Sequence, residues 1–134
     1  MAILLPDDQP LLAFCTLAAS AFAMGNTLVV VPSPTHPLSV TDLYQVLETS
    51  DVPHGTINII TGARDELAKT LSEHEDVDAI WYCGEKEGAA NVQKASAANM
   101  KRTWVLPARG NDVPMNEILR QATQVKNIWV PYGG

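Results

Sequence analysis

The chain has 134 residues, of which 46% are hydrophobic and 18% charged, and this length and balance suit one globular domain with its own core. Its formal net charge of −6 and its lack of a basic run exclude nucleic acid as the main partner, because phosphate binding needs clustered Lys and Arg. The apolar stretch at residues 11–25 lacks a basic leader and is too short to span a bilayer, so we interpret it as a buried helix and expect no membrane association.

The first half of the chain alternates short apolar runs with helical stretches. Gly25 and Asn26 follow the first helical stretch and are typical residues for ending a helix. We predict three strand-helix units in this order: strand Ile3–Leu5, helix Leu11–Met24, strand Thr27–Val31, a helix capped by Ser39, strand Thr56–Ile60 and helix Arg64–His74.

The second half continues the same alternation. We predict strand Asp78–Tyr82, a helix at Gly88–Asn99, strand Lys101–Leu106, a loop at Pro107–Pro114, a short helix at Asn116–Gln121 and a last strand at Val125–Val130. Strands that are apolar throughout are typical of parallel sheets, because helices cover both of their faces. The pattern therefore predicts an α/β fold with a five-strand, mostly parallel sheet between two layers of helices.

One turn in this pattern has the composition of a nucleotide-binding site. Residues Trp81–Gln93 read W-Y-C-G-E-K-E-G-A-A-N-V-Q, so that Gly84 and Gly88 lie between an apolar strand and a helix. Such a turn can present backbone N–H groups to a phosphate. Here, however, Glu85 and Glu87 lie within it, and a carboxylate repels a diphosphate. We favour an ordinary strand-to-helix turn over a cofactor site.

The cysteines and histidines predict neither a metal site nor a disulfide. Cys15 and Cys83 match no metal-ligand or redox spacing, so we interpret them as reduced packing residues of a cytoplasmic protein. His36, His54 and His74 are scattered and form no helical pair that could bind a metal.

Four segments carry a family resemblance. They are G-N-T-L-V-V-V-P-S-P-T-H-P-L-S from Gly25, D-V-P-H-G-T-I-N-I-I-T-G from Asp51, H-E-D-V-D-A-I-W-Y-C-G from His74, and A-T-Q-V-K-N-I-W-V-P-Y-G from Ala122. By these segments the chain is identified as a member of the aldehyde dehydrogenase family, and it most resembles the degenerate second module of the family-16 enzymes. The resemblance implies a Rossmann-like, NAD-binding-domain-like unit at residues 1–110. For residues 111–134 it implies a short helix and a C-terminal strand of the oligomerisation element, with both parts in one compact domain.

The resemblance also identifies which cofactor contacts are replaced. The family holds the adenosine ribose with a lysine and a glutamate, and the corresponding residues here are Val31 and Pro34, which cannot make those hydrogen bonds. Gly84, Gly88 and Ser33 are left as vestigial candidates for cofactor binding. We therefore expect no cofactor, or NAD at very low affinity.

The catalytic positions implied by the resemblance are also replaced. Leu106 takes the position of the family's general base, and leucine cannot accept a proton. Asp8 takes the position of the asparagine that donates to the oxyanion, which an ionised carboxylate would oppose. Neither Cys15 nor Cys83 aligns with the catalytic thiol, and only a short segment follows Gly110 where active members have a catalytic domain. We predict no catalytic residue.

The expected function is that of a non-catalytic module serving as a scaffold, oligomerisation or protein-interaction domain. The alternative is a piece of an NAD(P)-dependent aldehyde oxidoreductase whose catalytic thiol lies in another module. The expected partner is a companion aldehyde dehydrogenase module or a second copy, contacted through Val125, Ile128 and Trp129. The same strand could instead close the edge of its own sheet.

Overall fold

The computed structural model describes residues 1–108 and 113–131. Within them lies a five-stranded sheet, whose strands are β1 (Ala2–Leu4), β2 (Leu28–Val31), β3 (Ile57–Ile59), β4 (Ala79–Cys83) and β5 (Arg102–Leu106). All neighbouring strands are parallel, in the order β3-β2-β1-β4-β5. The predicted parallel α/β sheet is confirmed.

Helices follow the strands in chain order. They are α1 (Pro10–Ala13), a π-helical segment (Phe14–Ala18), α2 (Ala19–Ala23), α3 (Leu38–Thr41), α4 (Tyr44–Thr49), α5 (Arg64–Glu73), α6 (Lys86–Ser96), a 3-10 turn (Ala97–Asn99) and α7 (Met115–Gln121). The segments from α1 to α2 are consecutive, so together they form the predicted first helix.

Two hydrophobic clusters fill the space between the sheet and the helices. One contains Ile3, Trp81 and Leu106 from the strands and packs against Phe14 of the π-helical segment and Ile118 of α7. The other contains side chains on the opposite face of the same strands and packs against α5 and α6; its members include Leu4, Tyr82, Ala68, Leu71 and Val92. Successive side chains of a strand point to opposite faces, so β1, β2, β4 and β5 contribute to both clusters. The predicted three layers are confirmed.

The second predicted helix differs from its expected form. It is broken into α3 and α4, and Ser39 lies inside α3 rather than capping it. The Ser39 hydroxyl donates to the carbonyl oxygen of His36, 2.7 Å away, and Thr41 donates to the carbonyl oxygen of Pro37. At the break itself, the backbone N–H of Leu43 donates to the carbonyl oxygen of Val40, three residues back rather than four.

The expected strand at Val125–Val130 does not close the edge of this sheet in the described chain. Residues 124–131 form no strand and pair with no strand among the described residues, and Val125, Ile128 and Trp129 are 91, 84 and 93% exposed. Apolar residues on both faces of an extended segment give it no single face to pack on the sheet. The predicted loop Pro107–Pro114 and the boundary at residues 110 and 111 lie partly outside the described residues, as does the end of the last motif, residues 132–134.

No helix in the described parts of the chain is long and apolar enough to cross a membrane.

Candidate functional site

The carboxyl ends of the five parallel strands lie along one edge of the sheet. In the order β3-β2-β1-β4-β5, the chain first moves to one side of β1 and then crosses to the other side, so that the order reverses between β1 and β4. Ligands of open α/β sheets bind in the crevice at such a switch point. The candidate functional site is therefore the crevice beyond Leu5, which follows β1, and Cys83, which ends β4.

The glycines of the predicted nucleotide turn pack against a tyrosine. Tyr82 is buried in β4, and its ring lies beside the turn. A Cβ atom at Gly84 would lie 2.7 Å from the Tyr82 ring, and one at Gly88 would overlap the Tyr82 hydroxyl oxygen. Contacts this short do not occur for real side chains, so a larger residue at either position would force the Tyr82 ring to move.

Ser33 lies at the same edge, after β2, but its hydroxyl is used within the protein. Ser33 Oγ donates to Asp7 Oδ1, 2.5 Å away, and accepts hydrogen bonds from the backbone N–H groups of Thr35 and His36 at 3.2 and 3.1 Å. The residue is fully buried. A hydroxyl carries one donor and two acceptor positions, so these bonds use its whole capacity.

Carboxylates surround the crevice. A cleft of about 370 Å³ opens beside it. Among the described residues that line this cleft are four carboxylates, those of Asp7, Asp65, Glu85 and Glu87, and one arginine. Glu85 occupies the N-cap position of α6, with its side chain exposed and without a capping hydrogen bond. Carboxylates at the amino end of a helix interact favourably with the helix dipole, and they repel any further anion there.

The arginine is Arg64, the first residue of α5, and its side chain reaches into the switch point. Its Nη1 atom donates to the carbonyl oxygen of Cys83 at 2.6 Å, and its Nη2 atom donates to the carbonyl oxygen of Leu5. The guanidinium also lies 4.0 Å from Asp7, and the Arg64 side chain is 13% exposed. One side chain therefore bridges the carboxyl ends of β1 and β4.

Sequence reasoning missed this residue, although a signal was present. A cation in the first turn of a helix opposes the helix dipole, and the other charged residues of that turn are Asp65 and Glu66. An arginine placed against this preference, directly after a strand and a turn, indicates a partner outside its own helix.

A second depression continues from the cleft along the outer face of the protein. This α5–α6 groove has a volume of about 590 Å³ and a floor that includes Ala68 and Val92. It shares Asp65, Gly88 and Asn91 with the cleft, so the two are adjacent. Its lining carries charges of both signs, Lys69 and Lys94 on one hand and Asp65 and Glu73 on the other.

The other positions singled out in the sequence fall into two groups. Val31 and Leu106 are buried strand residues at the ends of β2 and β5, and their side chains belong to the core clusters. Pro34 and Asp8 are exposed in loops at the same edge of the sheet. The fold thus brings the implied cofactor and catalytic positions to one edge, where apolar or acidic residues occupy them.

The two cysteines are free and differ in exposure. Cys15 is exposed on the π-helical segment, whereas Cys83 is buried at the end of β4. Burial raises the pKa of the Cys83 thiol to about 12, an effect that the nearby Arg64 opposes. At neutral pH this thiol is protonated, and a protonated thiol is a poor nucleophile.

Comparison with known proteins gives the family. The model of the "Aldehyde dehydrogenase family" matches residues 1–111. The chain is 35% identical over 106 residues to the NADP/NAD-dependent aldehyde dehydrogenase PuuC of Escherichia coli, covering 78% of this chain and 21% of that protein. It is 28% identical over 129 residues to the malonate-semialdehyde dehydrogenase of Bacillus subtilis, covering 96% of this chain and 26% of that protein.

Solved structures agree with this assignment. The aldehyde dehydrogenase KauB of Pseudomonas aeruginosa matches with a TM-score of 0.76 and 30% identity, over 79% of this chain and 22% of that one. A betaine aldehyde dehydrogenase of Staphylococcus aureus, solved in complex with NAD+, matches with a TM-score of 0.75 and 31% identity, over 79% of this chain and 21% of that one. The chain therefore spans about a quarter of the length of the relatives it matches. The family model covers most of the chain, and on this ground the chain belongs to the aldehyde dehydrogenase family.

Proposed function

We propose that this chain is a non-catalytic module of the aldehyde dehydrogenase family that serves as a scaffold, oligomerisation or protein-interaction domain. Within the family we propose that it corresponds to the degenerate second module of the family-16 enzymes, on the four sequence segments that carry that resemblance. Its two free cysteines support a cytoplasmic location, where thiols stay reduced.

The observation that carries the proposal is the side chain at position 106. Leu106 is 3% exposed and belongs to the core. It ends β5, at the position where the family resemblance implies a general base. A buried leucine can neither take up nor release a proton, so no proton transfer can occur there.

The charges at the crevice support the further proposal that NAD binds very weakly or not at all. The lining carboxylates repel a diphosphate, and both bonds that the Arg64 guanidinium makes to the strand ends go to backbone carbonyls. The residues present therefore do not fit an anionic dinucleotide.

Two measurements on this chain test the proposal. Titration with NAD, followed by calorimetry and by amide chemical shifts, is expected to give no saturable binding below about 1 mM, a free energy of about −4 kcal/mol. Mixing the chain with NAD and an aldehyde is expected to produce no NADH. Micromolar binding with shifts centred on residues 84–89, or NADH production that survives replacement of both cysteines, would refute it.

We also propose a protein partner at the C-terminal segment. Val125, Ile128 and Trp129 lie exposed on residues 124–131, beyond the last described helix. Burying an aromatic and two aliphatic side chains contributes several kcal/mol to an interface. The partner is a second copy of the chain or a companion aldehyde dehydrogenase module.

The α5–α6 groove favours a second candidate function. It provides an apolar floor next to Gly88, and its size suits a small-molecule ligand. The alternative is therefore that this chain forms part of an NAD(P)-dependent aldehyde oxidoreductase whose thiol lies in another module. Sequencing the parent transcript separates the two: a G-Q-x-C segment upstream supports an active parent protein.

A further inference from the structure

The crevice between β1 and β4 is rich in hydrogen-bond acceptors. The carbonyl oxygens of Leu5 and Cys83 point into it from neighbouring strands, and the Asp7 carboxylate lies 4.0 Å from the guanidinium that occupies it. Glu85 lines the adjoining cleft. All of these groups attract a cation with N–H donors.

Arg64 satisfies this arrangement with a planar group. Two different nitrogens of its guanidinium donate to the carbonyl oxygens at two different strand ends. A lysine ammonium, with one nitrogen, could make both bonds only if that nitrogen lay between the two oxygens. The bonds are to backbone carbonyls whose positions the sheet fixes, so the geometry of the site does not depend on flexible side chains.

From these contacts we infer that the switch point of this chain is a guanidinium-binding site whose resident ligand is the side chain of Arg64. The crevice that takes anionic ligands in other open α/β folds has the opposite polarity here. With Arg64 truncated, the site is expected to accept a small guanidinium compound from solution, and not a phosphate.

The test uses the full chain with Arg64→Ala and the probe methylguanidinium. Truncation removes two hydrogen bonds from a charged donor, so the melting temperature of Arg64→Ala is expected to fall by about 5 to 15 °C. Methylguanidinium at about 20 mM is expected to raise it again by about 3 °C or more, because a ligand that binds only the folded state stabilises that state. Wild type, whose site is filled, is expected to show no such rise.

Controls separate binding in the crevice from general effects of the probe. Urea is planar but neutral, and inorganic phosphate is anionic, so neither is expected to stabilise Arg64→Ala. Arg120→Ala removes an exposed arginine that pairs with Glu117 on its own helix, and methylguanidinium is expected not to stabilise it. Arg64→Lys keeps the positive charge but not the planar guanidinium with its two donating nitrogens, and its melting temperature is expected to lie between those of wild type and Arg64→Ala.

Two results would overturn the inference. One is an Arg64→Ala variant that melts at the temperature of wild type. The other is a methylguanidinium effect that is the same in both proteins. If Arg64→Ala does not fold, Arg64→Lys gives the decision: melting at the temperature of wild type would show that a single ammonium group serves as well as the guanidinium, and it would overturn the inference. These outcomes do not depend on NAD, so they leave the proposed function to its own test.

Discussion

At the turn after β4, the Tyr82 ring lies beside the backbone of Gly84 and Gly88, where a Cβ atom on either residue would collide with it. Glycine at this place in a strand-turn-helix unit ordinarily allows a phosphate to approach the backbone. Here the Tyr82 ring occupies the space next to the backbone of Gly84 and Gly88. The same residues therefore have a packing explanation that requires no ligand.

Replacement of Gly88 tests this explanation. In Gly88→Ala, the gain in helix propensity, up to about 1 kcal/mol, opposes the collision with the Tyr82 hydroxyl, which costs about 1–3 kcal/mol. We expect a net loss of about 1–2 kcal/mol in the free energy of unfolding, measured with urea. Adding Tyr82→Phe removes the nearest atom and is expected to recover part of the loss. A Gly88→Ala variant as stable as wild type would contradict the packing explanation.

The two cysteines are expected to differ in reactivity. With a pKa of about 12, Cys83 forms almost no thiolate at pH 8, and it is also buried, whereas Cys15 is exposed. Iodoacetamide is therefore expected to add once to the native protein, at Cys15, and twice to the unfolded protein, as measured by mass spectrometry. Rapid labelling of Cys83 in the native protein would show that β4 opens readily at its end.

The raised pKa of Cys83 also has a consequence for stability. The unfolded chain loses this proton above its ordinary pKa of 9.0, while the folded protein keeps it up to about 12. Stability therefore falls as the pH rises from 9 towards 12, by at most about 1.4 kcal/mol per pH unit from this group. Cys83→Ser is expected to flatten that slope in urea unfolding curves measured across this range.

At the scale of elements, α7 is attached to the rest of the fold by a few specific contacts. The Asn26 side chain donates to the carbonyl oxygens of Ala21 and Ala122 at 2.8 and 2.9 Å, so it links the end of α2 to the end of α7. Arg102 of β5 donates to the carbonyl oxygen of Thr123 at 2.6 Å. Ile118 adds one buried side chain.

Loss of the Asn26 hydrogen bonds is expected to make α7 open more often while the rest of the fold keeps its stability. Asn26→Ala leaves both carbonyl oxygens without this donor, at a cost of about 1–3 kcal/mol. Amide hydrogen exchange is expected to become faster in residues 115–121 and to stay unchanged in α6. Asn91→Ala, on an exposed position of α6, is the matched control. Equal acceleration in both helices would mean that α7 and the sheet unfold as one unit.

At the scale of the whole molecule, the segment at residues 124–131 is the part that the described fold does not use. Its apolar side chains are exposed, and it begins shortly after Gln121, the last residue of α7. An exposed apolar segment with free backbone groups can add as a strand to the sheet of another chain.

Deletion of the residues after Gln124 tests this role. We expect light scattering to show a mass above that of one chain for the intact protein and the mass of one chain after the deletion. The melting temperature is expected to stay unchanged, because Val125, Ile128 and Trp129 are more than four-fifths exposed. Lys126→Ser changes the same segment without removing apolar surface, so it is expected to keep the larger mass. An intact chain that is already monomeric and stays so would exclude self-association.

By itself the sequence determined the α/β class, the five parallel strands and the two layers of helices, because apolar runs and helix-ending residues are local signals. The family resemblance also implies that Leu106 and Val31 replace polar residues, which stays a prediction. Tertiary structure decided how the crevice is filled. Arg64 lies 59 residues from Leu5 and 19 from Cys83 along the chain, and sheet topology alone brings these three residues together. The same holds for the Ser33 hydroxyl and Asp7, and for the Tyr82 ring against Gly88: such contacts depend on strand order and on the face to which a side chain points, which no local pattern encodes.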